Sequence, residues 1–254
     1  MSAGLVGAAS LETRLRGASA IVPYLTGGFP SMSGFQDALK AVSAVSIAVE
    51  IGIPFSDPMA DGATIQESSR VALEAGATLD SILSAVEGAG ELGVELVVMS
   101  YLNPLLAYGL EALVPRLAGA GVGALVIPDL PLEEAGDLGA MARERGIGLV
   151  QLVSPVTSAE RLTLLGSASE GFTYAVTMTG TTGGALESGE EVARYLDRVR
   201  TASRAPVLAG FGVRTADQVN ALTPHCDGVI VGSALVEVLA SGGDPVSFLR
   251  SLRR

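Results

Sequence analysis

The chain has 254 residues, of which 48% are hydrophobic and 17% are charged, and its formal net charge is −11. This acidity argues against nucleic acid or an anionic membrane as the main partner. The single cysteine, Cys226, excludes an internal disulfide framework and is typical of a reducing compartment. No signal peptide and no membrane-spanning stretch is evident, so we expect a cytoplasmic protein.

Short apolar runs, each followed by a turn and a helical pattern, recur along the whole chain. After an amphipathic start with Leu11 and Leu15, they predict strands at 20–24, 47–51, 95–100, 124–127, 148–152, 172–176, 207–209 and 228–231. Helices are predicted at 34–44, 64–75, 78–92, 110–118, 132–145, 159–165, 189–202, 215–222, 233–240 and from Pro245 onward. This alternation predicts an α/β fold, a (β/α)8 TIM barrel that forms a single domain over 1–254 with a short N-terminal helix. A doubly wound open sheet is the alternative, but the loop at 25–30 lacks its glycine-rich dinucleotide fingerprint.

The segment 47–66 holds the most informative acidic residues. Its strand alternates β-branched with small residues, and Glu50 falls on the small-residue face of a run that otherwise predicts burial. Asp61 follows in the next loop, and no Lys or Arg occurs within 41–69. An isolated buried carboxylate is costly unless it is protonated or finds partners, so the pair predicts acid–base chemistry. A structural Glu50, hydrogen-bonded to the backbone, is the alternative.

Two scarce residue types restrict the chemistry. His225 is the only histidine, so we expect neither a histidine metal site nor a Cys–His nucleophile, and no metal is predicted. The only lysine, Lys40, lies in the predicted helix 34–44 and is poorly placed for a Schiff base. His225 and Cys226 precede the eighth strand, at the end of the barrel away from the site, and we expect both to be structural.

In such a barrel, the loops that follow the strands carry the function. The loop after the sixth strand, 177–187, is long, polar and rich in glycine, which predicts a mobile lid. An ordinary surface connection is the alternative. Tyr24 and Tyr174 stand at strand ends that face the same mouth, where they either line a pocket or fill the top layer of the core.

A phosphate site is predicted where the last two strands end. Gly210 and Gly212 follow the seventh strand, and Gly232 and Ser233 follow the eighth. Glycines at two adjacent helix N-termini expose backbone N–H groups, and barrels often bind phosphate after strands seven and eight. Amide donors and helix dipoles therefore explain how an acidic protein could bind phosphate without a basic patch.

Several of these motifs together resemble the tryptophan synthase α subunit family. The longest match begins at Glu50 and reads EIGIPFSDPMADG. The others are 99–104, 127–135, Tyr174, Thr182-Gly183, 210–212 and 231–233. The matches follow the family's order and cover essentially the whole chain.

The resemblance implies a cofactor-free retro-aldol cleavage of indole-3-glycerol phosphate to indole and glyceraldehyde 3-phosphate, in tryptophan biosynthesis. Glu50 would protonate the indole carbon that bears the side chain and would assist deprotonation of the glycerol hydroxyl. Asp61 would accept the indole N–H, and Thr182 on the lid would orient Asp61. By the same resemblance, the substrate-binding residues are Tyr24, Ile65, Met99, Tyr174, Thr182, Gly183, Phe211, Gly212, Gly232 and Ser233.

The resemblance also implies a partner, a pyridoxal-phosphate β subunit that receives indole through a tunnel in an αββα heterotetramer. The matching contact face consists of Pro54, Asp57, Asn103, Asp129 and Pro131. Pyridoxal phosphate is then expected in the partner, and no cofactor is expected in this chain.

Four positions depart from residues that are common in the family, and they bear on lid motion and partner communication: Phe29, Ala63, Met178 and Thr181. A stand-alone lyase that releases free indole therefore stays open as an alternative. Two others are a non-catalytic subunit that activates a partner and a sugar-phosphate isomerase. Retention of Glu50, Asp61 and Thr182 argues against the former, and the lack of a Lys or His near the phosphate argues against the latter.

Overall fold

The computed structural model describes residues 7–179, 184–185, 189–210 and 212–253. Its strands are β1 (Ala20–Thr26), β2 (Ala48–Gly52), β3 (Glu95–Met99), β4 (Val122–Val126), β5 (Gly148–Val153), β6 (Thr173–Val176), β7 (Met178–Thr179), β8 (Gly184–Ala185), β9 (Val207–Gly210) and β10 (Gly228–Val231). Eight of them, all except β7 and β8, form a closed parallel barrel in which β10 pairs with β1. The predicted TIM-barrel fold is confirmed.

Helices surround this barrel. They are α1 (Ala8–Leu15), α2 (Met32–Ser43), α3 (Ala63–Glu74), α4 (Leu79–Gly88), α5 (Leu102–Tyr108), α6 (Leu110–Gly119), α7 (Gly136–Glu144), α8 (Ala159–Ala168), α9 (Gly189–Ala202), α10 (Ala216–Leu222), α11 (Ser233–Ala240) and α12 (Pro245–Ser251). A short 3-10 helix covers Leu132–Glu134. Within the described ranges, none of these helices combines the length and the apolar character needed to cross a bilayer.

The core consists of the barrel strands and the inner faces of the helices. Every residue of β1, β2 and β4 is buried, because one side of each strand faces the barrel interior and the other faces the helices. The strands are parallel, so all their carboxyl ends meet at one end of the barrel. The loops that follow the strands are therefore brought together from distant parts of the sequence.

The structure differs from the sequence prediction in three connections. Helix α5 occupies a segment for which no helix was predicted, and its Pro104 stands in the first turn, where its missing N–H is not needed. The helix predicted at 132–145 is divided into the 3-10 turn and α7. In the predicted lid, β7 and β8 pair antiparallel, and most of the rest of that segment, including Thr181, lies outside the described residues.

Candidate functional site

A cavity of ≈ 650 Å³ opens at the carboxyl end of the barrel, which is large enough for a small-molecule ligand. Its wall combines residues from β1, β3, β5, β6 and β10 with the loops after β2, β4, β5, β9 and β10. The predicted residues in this wall are Tyr24, Asp61, Ile65, Met99, Tyr174, Gly212, Gly232 and Ser233. Thr182, Gly183 and Phe211 lie outside the described residues.

Glu50 is completely buried at the edge of this cavity. It pairs in register with Tyr24 of β1, so both side chains lie on the inward face of the barrel. No atom of the side chain is exposed, and neither carboxyl oxygen has a hydrogen-bond partner among the described residues. Burial, followed by the charge of Asp61, raises the pKa of Glu50 to about 8. Glu50 therefore holds a proton at neutral pH. The alternative, a Glu50 that is hydrogen-bonded to the backbone, is not observed in the structure.

Asp61 is partly buried and precedes α3 by one residue, Gly62. Burial raises the pKa of its carboxyl to about 6, and a hydrogen bond with the Tyr101 side chain opposes that rise. The Gln66 amide donates to the Asp61 carbonyl oxygen at 2.9 Å and fixes the backbone here. At neutral pH, a protonated Glu50 therefore lies near a mostly ionised Asp61. This difference in protonation allows Glu50 to act as an acid while Asp61 acts as an anion.

Tyr101 is a site residue that belongs to the matched motif 99–104 but for which no role was predicted. Its hydroxyl oxygen accepts a hydrogen bond from the Ala60 N–H at 2.8 Å, which leaves the hydroxyl proton for the Asp61 carboxyl. Burial raises the pKa of Tyr101 to about 12, so the phenol remains a donor. The ring lies 5.1 Å from that of Phe55.

Tyr24 and Tyr174 are buried side chains that also form part of the cavity wall. A Cβ atom on Gly52 would lie 1.9 Å from the Tyr24 hydroxyl oxygen, and one on Gly210 would lie 2.5 Å from the Tyr174 ring. Each tyrosine thus occupies space that a neighbouring glycine leaves open. Burial raises the pKa of both phenols, and the nearby Glu50 and Asp61 charges add to this effect.

The last two strands, β9 and β10, lead to the part of the cavity where a phosphate site was predicted, and β1 lies between them and β2. Gly212, with a φ of 89°, Gly232 and Ser233 all contribute to the wall. Helix α11 begins at Ser233 without a side-chain cap, so its first amides have no side-chain acceptor at the N-cap. Helix α10 differs from the prediction, because Thr215 and Gln218 form a capping box over its N-terminus. Of the two predicted helix N-termini, that of α10 is capped by side chains, whereas that of α11 has no side-chain cap.

The predicted partner-contact residues follow β2, β3 and β4, which are neighbouring strands. Asp57, Asn103 and Pro131 are exposed, whereas Pro54 is buried. The Asp129 carboxylate is half-buried and accepts a hydrogen bond from the Leu102 N–H at 2.9 Å, which ties the loop after β4 to the start of α5.

Lys40, His225 and Cys226, for which no role in the chemistry was predicted, are not among the residues of the cavity wall. Lys40 is exposed on α2. His225 Nδ1 lies 2.9 Å from an oxygen of Asp197, and Cys226 is buried next to the amino end of β10. In the described part of the chain, no group of three His, Cys, Asp or Glu residues is arranged to hold a metal ion.

Comparison with known proteins identifies similar chains. The family model of the tryptophan synthase alpha chain matches residues 11–247. The tryptophan synthase alpha chain of Carboxydothermus hydrogenoformans is 40% identical over 236 residues, which cover 92% of this chain and 88% of that protein.

Solved structures give the same result. Tryptophan synthase from Mycobacterium tuberculosis superposes with a TM-score of 0.88 at 34% identity, covering 98% of both chains. The tryptophan synthase α2β2 complex from the hyperthermophile Pyrococcus furiosus gives a TM-score of 0.85 at 34% identity, with 92% of this chain and 98% of that chain covered.

Proposed function

The chain belongs to the tryptophan synthase alpha chain family, whose reaction is the cleavage of indole-3-glycerol phosphate, and we propose that Glu50 and Asp61 carry out this lyase chemistry. The observation that carries the assignment is the state of Glu50, a buried carboxyl group without a hydrogen-bond partner among the described residues. Such a group is destabilising for the fold unless it keeps its proton. A proton held next to a cavity, with an ionisable second acid beside it, is suited to general acid catalysis.

In the proposed mechanism, Glu50 donates its proton to the indole carbon that bears the glycerol side chain. The ring becomes an indolenine-like cation, and the Asp61 carboxylate accepts its N–H. The carbon–carbon bond then breaks, its electron pair returns to the ring, and the adjacent glycerol hydroxyl loses its proton to form the aldehyde of glyceraldehyde 3-phosphate. The Glu50 carboxylate left by the first step is the base that assists this deprotonation.

Glu50 is absent from the cavity wall, so its side chain has to turn toward the cavity when substrate binds. Tyr24 and Tyr174, which are parts of that wall, lie close enough to Glu50 for its charge to raise the pKa of each phenol. We place the indole ring against Ile65 and Met99, which are apolar wall residues. By the family resemblance, Thr182 of the lid would orient Asp61 during closure.

We place the phosphate near Gly212, Gly232 and Ser233, which follow β9 and β10. Support comes from the uncapped N-terminus of α11 and from the positive φ of Gly212, which lets the backbone approach a ligand closely. By the family resemblance, Gly183 and Phe211 would also contribute to the phosphate site. A cavity that combines two acids with exposed backbone amides fits a substrate with one anionic tail.

We infer that the partner is a β subunit in an αββα assembly, which holds pyridoxal phosphate and receives indole. The similar Pyrococcus furiosus structure is an α2β2 complex. The contact face would include Asp57, Asn103 and Pro131, with Asp129 and Pro54 supporting the loops beneath. Met59, which is 77% exposed at the cavity rim, adds apolar surface to this face.

An indole-release assay on the wild type and Asp61→Asn tests the proposal. The asparagine keeps the shape of the side chain but removes its charge, so turnover should fall by about 10²-fold or more, while a non-reactive phosphate analogue still binds. Unchanged kinetics in Asp61→Asn would contradict the role of its charge. Adding a β subunit separates the alternatives, because strong activation supports the complex and full activity without it supports a stand-alone lyase.

A further inference from the structure

The cavity wall contains one basic side chain among its described residues, Arg214. It follows β9 two residues after Gly212, on the side of the cavity where we place the phosphate. Its side chain is 50% exposed, so the guanidinium is accessible to a ligand in the cavity mouth. Arg214 was not predicted as a site residue, because an arginine near a helix start has no sequence signature of its own.

Arg214 is held in place by Glu237 of α11. Its two terminal nitrogens donate to the two carboxylate oxygens of Glu237, each at 2.7 Å. Glu237 lies one helical turn after Ser233, and it also accepts a hydrogen bond from the Thr64 hydroxyl at 3.2 Å. Thr64 and Ser233 both belong to the cavity wall. The ion pair therefore lies beside the amide-lined end of the cavity.

We propose that Arg214 is a recognition residue for the phosphate dianion of the substrate, and that Glu237 is the competing anion that positions it when the cavity is empty. This inference rests on the proposed function for the identity of the substrate. A planar guanidinium binds phosphate oxygens through a bidentate pair of hydrogen bonds, as it binds a carboxylate.

The exchange of partners is energetically feasible. Half-exposed ion pairs such as Arg214–Glu237 contribute little to stability, so releasing Glu237 costs little. The incoming phosphate carries more negative charge than a carboxylate, and it is held at the same time by backbone amides. Glu237 therefore positions the guanidinium but weakens phosphate binding.

This role predicts opposite effects for the two partners of one ion pair. In Arg214→Gln, the KM for indole-3-glycerol phosphate and the inhibition constant of inorganic phosphate should both rise about fivefold, with kcat nearly unchanged. In Glu237→Gln, both constants should fall about twofold, because a competing charge is lost. The effect of Arg214→Gln should shrink at high ionic strength, and Arg214→Lys should give an intermediate value.

The matched control is Arg143→Gln, which breaks the Arg143–Glu170 ion pair at the other end of the barrel and should change neither constant. A purely structural role for Arg214–Glu237 would shift both variants in the same direction, and that result, or an unchanged phosphate inhibition constant in Arg214→Gln, overturns the inference. If the wild type binds phosphate with the predicted Arg214 dependence but does not cleave the substrate, the proposed function fails and this inference stands.

Discussion

Glu50 and Asp227 are both buried carboxyl groups, but they lie at opposite ends of the barrel and differ in their hydrogen-bond donors. Asp227, 5% exposed, precedes β10, and its two oxygens accept hydrogen bonds from the Gly17 and Val207 N–H groups, each at 2.8 Å. Glu50 has no such donors among the described residues. Along β1 the two ends are separated by four residues, from Ala20, which pairs with Gly228, to Tyr24, which pairs with Glu50.

Asp227 is therefore an acid with a structural role, whereas Glu50 is suited to acid–base chemistry. Backbone donors hold Asp227 in one position and connect β9 to the turn after α1, which stabilises the closed end of the barrel. The same donors around Glu50 would stabilise its anion and remove its ability to hold a proton at neutral pH. Leaving Glu50 without partners costs stability and keeps an acid available beside the cavity.

Glu50→Gln should lower indole release by about 10³-fold, because an amide of the same shape supplies no proton to the indole ring. The measurement is the rate of indole release under saturating substrate. Wild-type turnover in this variant would remove Glu50 from the mechanism.

Asp227→Ala should lower the free energy of unfolding by about 3 kcal/mol, since it leaves two backbone N–H groups without their acceptor. Urea denaturation at pH 7 measures the loss. The value of kcat should remain that of the wild type under conditions where the variant is folded. A selective loss of kcat would instead connect this end of the barrel to the chemistry.

Glu50→Gln should also stabilise the fold in alkaline solution. The pKa of Glu50 rises from 4.5 to about 8 on folding, so the native state keeps a proton that the unfolded chain releases between these values. Wild-type stability therefore falls as the pH rises through this range, whereas the glutamine variant lacks this dependence.

The resulting stability difference between Glu50→Gln and the wild type should be near zero at pH 4.5 and should grow by at most about 1.4 kcal/mol per pH unit until it levels off above pH 8. Urea denaturation of both proteins across this range checks it. A constant difference at all pH values would show that Glu50 is not buried as a neutral acid.

Tyr101→Phe should reduce kcat about tenfold, because the Ala60 N–H and the Asp61 carboxyl both lose a hydrogen-bond partner. Without the phenol, the pKa of Asp61 should rise, so the acidic limb of the pH–rate profile should move to higher pH. Tyr108→Phe is the control, since Tyr108 bonds to Asp80 and Arg116 outside the cavity. Equal pH–rate profiles for Tyr101→Phe and the wild type would exclude Tyr101 from positioning Asp61.

Local patterns were sufficient to predict the barrel and much of its cavity wall. Strand β2 was predicted from its alternating residues, and Glu50 was identified because a lone acid in an apolar strand is unusual. Helix α5 was not predicted, and its seven residues include Pro104, which is compatible with a helix because it stands in the first turn. Tyr101 and Arg214 lacked a signal, because their partners Ala60 and Glu237 are separated from them by many residues.

Strand periodicity and turn residues are local properties of the chain, so they were enough to predict the barrel, the end at which its loops meet and two candidate acids. The folded structure was needed to show that Glu50 has no hydrogen-bond donors among the described residues and that Arg214 lines the cavity. Burial, pKa and ion pairing depend on groups that meet across the barrel, and their spacing along the chain does not encode that meeting.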